Sequence, residues 1–243
     1  MTYKLEANRA SLLILCATVG FTSVNVLAQS NDNSEKNPED PTKIITKLGV
    51  GYSNEKLTLS VNIGLDDVRM LNGRINDDGS EWSLGGSWLF DAGIVNFNFR
   101  KTTYDDDSTN TSYNLGSYFP LSEFGFSPYG WMPFITAGYS YNDGEKLDAD
   151  QSVLPEVPVY TPVTSHAGYV GMFALKPWSK KWTTMAFAGT TQGSSDLSVY
   201  WGGAGLSYRL SERSSVNGIG IYSDSSIYGG DTTYSVNYRY EWN

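Results

Sequence analysis

A chain of 243 residues carrying 26 acidic against 17 basic side chains, net −9, is ill-suited to nucleic acid or to an anionic membrane surface. A single cysteine, Cys16, excludes a disulfide framework and a cysteine-ligated metal centre. With 25 Gly, 17 Tyr and 7 Trp and no long helix-forming run, the composition points to β structure.

The N-terminus reads as a leader. Lys4 and Arg9 precede an apolar run from Ala10 to Ala17 that continues more loosely to Ala28. Val26-Leu27-Ala28 is the small-residue pattern read by signal peptidase, with cleavage expected before Gln29. Thr18, Thr22, Ser23 and Asn25 interrupt the run, short of the roughly 18 uninterrupted apolar residues that an anchor helix needs. A lipoprotein signal is disfavoured by bulky Leu15 directly before Cys16. Residues 1–28 are therefore read as a cleaved signal peptide, which would remove the only thiol. Residues 29–42 are polar and aperiodic, the mark of a flexible N-terminal segment.

From there on the pattern has period two. Leu57, Leu59, Val61 and Ile63 alternate with Lys56, Thr58, Ser60 and Asn62, and Trp82, Leu84, Trp88 and Phe90 with Glu81, Ser83, Gly85 and Ser87. The same holds for Val95, Phe97 and Phe99 and for Ile135, Ala137, Tyr139 and Tyr141. It holds again for Ala204, Leu206, Tyr208 and Leu210. Such alternation means strands with one dry and one wet face. It predicts strands at 43–52, 56–64, 68–75, 81–90, 94–104, 110–120, 131–142, 165–176, 182–192, 197–210, 215–223 and 232–242. Phase is ambiguous within 182–192 and 215–223. Connections alternate between short turns, such as 91–93 and 211–214, and longer or acidic loops, such as 105–110 and 142–164.

Short turns on one side and loops on the other are the habit of a transmembrane antiparallel up-and-down β-barrel. The expected fold is all-β, residues 43–243 forming one barrel of twelve strands, or of ten if 43–52 and 68–75 do not both span. A soluble sandwich would also alternate, but here the aromatic face gathers Trp82, Trp88, Trp182 and Trp242 toward strand ends. Indole rings favour a bilayer interface, apolar along the body and polar at one tip.

Val236, Tyr238, Tyr240 and Trp242, alternating with Asn237, Arg239 and Glu241, resemble the terminal sorting strand of Gram-negative outer-membrane barrel proteins. Residues 133–141 (PFITAGYSY) are similar to a strand that recurs in small barrels of the broad porin group. The resemblance implies residence in the cell outer membrane among lipid and lipopolysaccharide, with recognition by the barrel-insertion machinery. It singles out no subfamily, substrate or oligomeric state.

Lys47, Lys56, Arg100, Arg209 and Arg239 are predicted by alternation to line the lumen, with Glu81 and Glu241 among the few acids there. Like charges along a pore set selectivity, so they suit a narrow passive channel for small polar or anionic solutes. The alternative is a closed barrel whose interior cations are neutralised by carboxylates and which acts through its loops. Leu154, Val157 and Tyr160, in a Pro-stiffened loop, are the candidate contacts for that role. His166 is expected to face the lumen near the rim. Asp105-Asp106-Asp107 are dense enough for a divalent-cation hypothesis but lack the spacing of a dedicated loop. No catalytic residue, metal ligand or cofactor is assigned, and the chain is read as a non-enzyme.

Overall fold

The computed structural model describes residues 36–53, 56–103, 109–144, 164–194, 196–226 and 229–242. The leader at 1–28, the aspartates 105–107 and the loop candidates Leu154, Val157 and Tyr160 lie outside the described residues.

Twelve strands run in chain order. They are β1 (Thr46–Ser53), β2 (Lys56–Gly64), β3 (Arg69–Asn76), β4 (Glu81–Phe90), β5 (Gly93–Thr103), β6 (Thr109–Pro120), β7 (Met132–Gly144), β8 (Ser165–Pro177), β9 (Trp182–Gly193), β10 (Ser198–Arg209), β11 (Ser214–Ser225) and β12 (Gly229–Trp242). Each pairs antiparallel with its chain neighbours, and β1 pairs with β12, from Thr46 opposite Trp242 to Ser53 opposite Ser235, which closes the barrel. Closure leaves no edge strand, the condition for a sheet whose backbone must be satisfied without water. Strands of about 9–11 residues cross a bilayer core when tilted, and most of these are that long or longer. No helix among the described residues is long and apolar enough to cross a membrane; the strands do the crossing.

Twelve-strand parity puts both barrel termini at one end. The connections 65–68, 91–92, 178–181 and 210–213 share that end. So does the longer 121–131, built from two 3-10 turns, Leu121–Phe124 and Pro128–Gly130. Gly125, at φ 76°, closes the first of them, its amide donating to Ser122 O at 2.9 Å.

Two surfaces follow from the pleat. Among the described residues 35 large hydrophobic side chains are exposed, against 16 apolar residues that are buried, the reverse of a water-soluble domain. Leu59, Leu71, Leu84, Phe97 and Leu115 belong to this outer wall. Rings sit toward its borders, among them Trp182 against Tyr208 at 4.6 Å and Tyr240 against Trp242 at 5.0 Å. Such a wall is stable only against lipid.

The inner surface is not uniformly polar. Tyr118, Phe134, Phe173, Leu175, Met185, Phe187, Val199, Trp201, Ile219 and Ile221 are buried inside the barrel on β6–β11 and pack as one cluster with Ile44 and Met70. The Trp201 indole lies across Gly189 of neighbouring β9 and Gly171 of β8 beyond it, where a Cβ would have no room. Its Nε1 donates to Thr191 Oγ1 at 3.2 Å, so the ring is buried with its polar atom satisfied.

This cluster corrects the expected facing of β8. Ser165, Ala167, Phe173 and Leu175 are buried inward, while His166, Val170 and Met172 are exposed on the outer wall. His166 stacks on outward-facing Tyr139, centroids 6.4 Å apart and planes at 24°, so the sole histidine is not at the lumen rim.

Candidate functional site

Residues 36–45 enter the lumen at the terminus end, ahead of β1. Glu39, Asp40, Thr42, Lys43, Ile44 and Ile45 are all buried. Within the segment 29–42, expected from its sequence to be flexible, residues 36–42 make a turn and contacts to the barrel wall. A turn forms where Asp40 N donates to Asn37 O at 3.0 Å and Lys43 N to Asp40 O at 3.1 Å. The Asp40 carboxylate accepts from the Thr42 amide at 2.8 Å and from its hydroxyl at 2.7 Å. Polar aperiodic sequence is compatible with order here because the barrel wall supplies the partners.

Those partners are specific. One Glu39 oxygen accepts from the Ser207 hydroxyl of β10 at 2.8 Å. The other accepts from Asn217 Nδ2 of β11 at 3.1 Å and from Arg239 Nη1 of β12 at 2.7 Å. Asn37 donates to Thr183 Oγ1 of β9 at 2.8 Å, and Lys43 pairs with Glu241 of β12 at 2.7 Å with both side chains buried. The charged inward face of the last strand thus finds its partners in the segment that precedes the first strand.

Above this segment lies a cavity of about 230 Å³. Its wall is two-sided. Asn, Ser and Thr of β2–β5, including Thr58, Asn62, Asn72, Ser83 and Asn96, form one side; Tyr118, Phe173, Met185, Phe187 and Ile219 form the other. Among the charged side chains at the wall, the strands contribute Lys47, Arg74, Arg100 and Arg239, whereas the acids Glu39 and Asp40 both come from the N-terminal segment.

Of the five cations expected in the lumen, Lys47, Arg100 and Arg239 meet at this cavity. Arg100 is buried, with its Nε 3.9 Å from Glu81. Arg209 faces inward near the terminus end but does not line the cavity, and Lys56 stands at the opposite rim, half-exposed and 3.1 Å from Asp78. Arg74 completes the set. Its signal was present in the alternation of Met70, Asn72 and Arg74 with Leu71 and Ile75, once 69–76 is accepted as a spanning strand. Nothing in the sequence pattern marks Glu39, whose partners lie 168 to 200 residues away.

The rim contact has a measurable signature. Asp78 accepts from the Ser80 hydroxyl at 2.6 Å and amide at 2.9 Å and pairs with Lys56, which together hold its carboxyl down at about 2. Because the folded value lies below the ordinary ~3.9, the contact contributes fully above pH 4 and is lost as pH falls through about 2. A carbon NMR titration of the folded protein is expected to place the Asp78 midpoint near the lower figure; a midpoint near ~3.9 would show the loop contact to be unformed. Among the described residues no group of three or more His, Cys, Asp or Glu could hold a metal ion.

No protein-family model matches the sequence, and no curated protein matches it. Solved structures do. The chain is similar to the NanC porin at 10% identity and a TM-score of 0.51, over 81% of this chain and 100% of that one. It is similar to a bacterial polysaccharide outer membrane secretin at 11% identity and a TM-score of 0.50, over 81% and 75%. The KdgM porin in complex with disordered oligogalacturonate aligns at 10% identity over 82% and 99%, with a TM-score of 0.49. At these identities the likeness is one of fold, that of porin-like outer-membrane barrels. Together with the lipid-facing wall it places the chain in an outer membrane, embedded among its lipids.

Proposed function

We propose that the barrel is a narrow passive conduit for small polar or anionic solutes, shut at its terminus end in this conformation by residues 36–45. The observation that carries the proposal is the cavity charge: four basic and no acidic side chains from the strands. A strand wall whose lining charges are basic, with Arg100 beside Glu81 and Arg239 held by Glu39, leaves an excess of positive charge that in a low-dielectric shell favours counter-ions over like charge. The polar side chains of β1–β5 offer a solute hydrogen bonds along one half of the lumen, while the packed cluster of β6–β11 narrows the passage from the other.

The wall should therefore carry the ion preference. Arg74→Glu, which puts a carboxylate on the cavity side of β3, is expected to shift the zero-current potential in a salt gradient toward cations, changing the permeability ratio several-fold. An unchanged potential would remove the cavity from the conduction path.

A second reading has its own support. The same apolar cluster, with the lodged segment, favours a barrel that stays shut and acts through its loops, where Leu154, Val157 and Tyr160 are the contact candidates. Either way the leader at 1–28 would be removed on export, and the terminal strand would be read by the insertion machinery.

A further inference from the structure

The contacts of Glu39 describe a receptor as well as a plug. One carboxylate accepts a guanidinium at 2.7 Å, a hydroxyl at 2.8 Å and an amide at 3.1 Å, supplied by three adjacent strands. Asn237 braces the set, its Nδ2 donating to Asn217 Oδ1 at 3.2 Å and so fixing which end of the Asn217 amide faces Glu39. Lys47, on the next strand across the β12–β1 seam, lines the same cavity. A cation with two oriented neutral donors is the arrangement that binds a carboxylate wherever it comes from.

We infer that Ser207, Asn217 and Arg239 form a carboxylate-recognition site of the lumen, occupied in this conformation by the chain's own Glu39, and that the carboxylate of a small solute takes its place and releases the N-terminal segment. The inference rests on the conduit reading for its physiological sense, but the site itself is independent of ion flow.

Three features make exchange feasible. The cavity borders Glu39 and Arg239 directly, so a solute within it meets the guanidinium without crossing the barrel wall and reaches Ser207 and Asn217, which do not line the cavity, once Glu39 has left. Exchange of one carboxylate for another leaves Arg239 paired in both end states, so neither carries the cost of a buried cation without its partner. The solute binds only the state from which Glu39 has left, so its whole affinity for the site acts to shift the population. The apolar side of the cavity, with Phe173, Phe187 and Ile219, further favours a carboxylate attached to a ring or short acyl body over a bare inorganic anion.

The test follows the segment and not the current. Pro38 lines the cavity, and Cys16 is the only native cysteine, so Pro38→Cys in a Cys16→Ser background reports release through its labelling rate with a small uncharged thiol reagent. In lipid vesicles, acetate and benzoate are expected to accelerate labelling several-fold and saturably, benzoate at lower concentration, while acetamide and benzamide at matched ionic strength leave the rate unchanged. With Glu39→Gln added, labelling should be fast without any carboxylate. By calorimetry the Glu39→Gln protein should bind benzoate at least ten-fold more tightly than the parent, a gain that Arg239→Gln removes. Heat-modifiable gel mobility verifies that each variant is folded. Equal acceleration by amide and carboxylate, or no gain in benzoate affinity on Glu39→Gln, would overturn the site. Silent bilayers alongside carboxylate-dependent labelling would overturn the conduit alone, and ion steps alongside carboxylate-independent labelling would overturn this inference alone.

Discussion

Replacing Glu241 by alanine is expected to lower the unfolding free energy by about 3–5 kcal/mol, read from urea unfolding of the protein refolded in vesicles. The pair it breaks is short and buried, Lys43 Nζ standing 2.7 Å from Glu241 Oε2 with side-chain exposures of 4% and 8%. The cost arises because Lys43 is left in the lumen without its carboxylate, not because the intact pair is strongly stabilising. Two charges removed from water together gain little net. The double variant Lys43→Met/Glu241→Leu should therefore recover most or all of the loss. A single variant as stable as the parent would mean that residues 36–45 are not lodged in the barrel.

The outer wall gives the second large effect. Leu84 is 58% exposed near the middle of β4, beside Phe99 of β5 and Gly73 of β3. Leu84→Arg is expected to destabilise the protein in a bilayer by about 2–4 kcal/mol, since an exposed guanidinium at mid-membrane meets only hydrocarbon. Leu57, on the same face but at the loop-side end of β2, should tolerate the same change at a cost of about 0–1 kcal/mol, because its head group reaches the interface. Equal small penalties at the two positions would contradict a lipid-facing wall.

All twelve strands were legible in the sequence, with boundaries within three residues, because the wall pairs an apolar belt outside with small polar groups inside along β1–β7. Legibility failed where that contrast disappears. In β8 both faces are apolar, Tyr169, Phe173 and Leu175 inside against Val170 and Met172 outside, so alternation fixes a period but not its sign. The ambiguous phases of β9 and β11 have the same origin. There Met185 and Phe187 point inward against outward Ala186 and Ala188, and Ile219 and Ile221 inward against Gly218 and Gly220.

The lumen was legible as far as parity reaches. Alternation predicts only that Lys47, Lys56, Arg100, Arg209 and Arg239 face inward; parity carries no depth, which is why Lys56 and Arg209, away from the cavity, are grouped with the three that line it. The lodged segment was invisible for a different reason. Its order comes from Ser207, Asn217, Arg239 and Glu241, residues brought near it only when the last strands close on the first.

The most direct test of a cation-lined lumen is single-channel recording of the refolded protein in a planar bilayer under a salt gradient, beside a variant lacking residues 36–41. Small, anion-biased steps are expected for the full chain, and larger or longer ones once the segment that contributes Glu39 and Asp40 is gone. Silence from both proteins with insertion independently verified, or a cation bias in the shortened one, would contradict a cation-lined lumen.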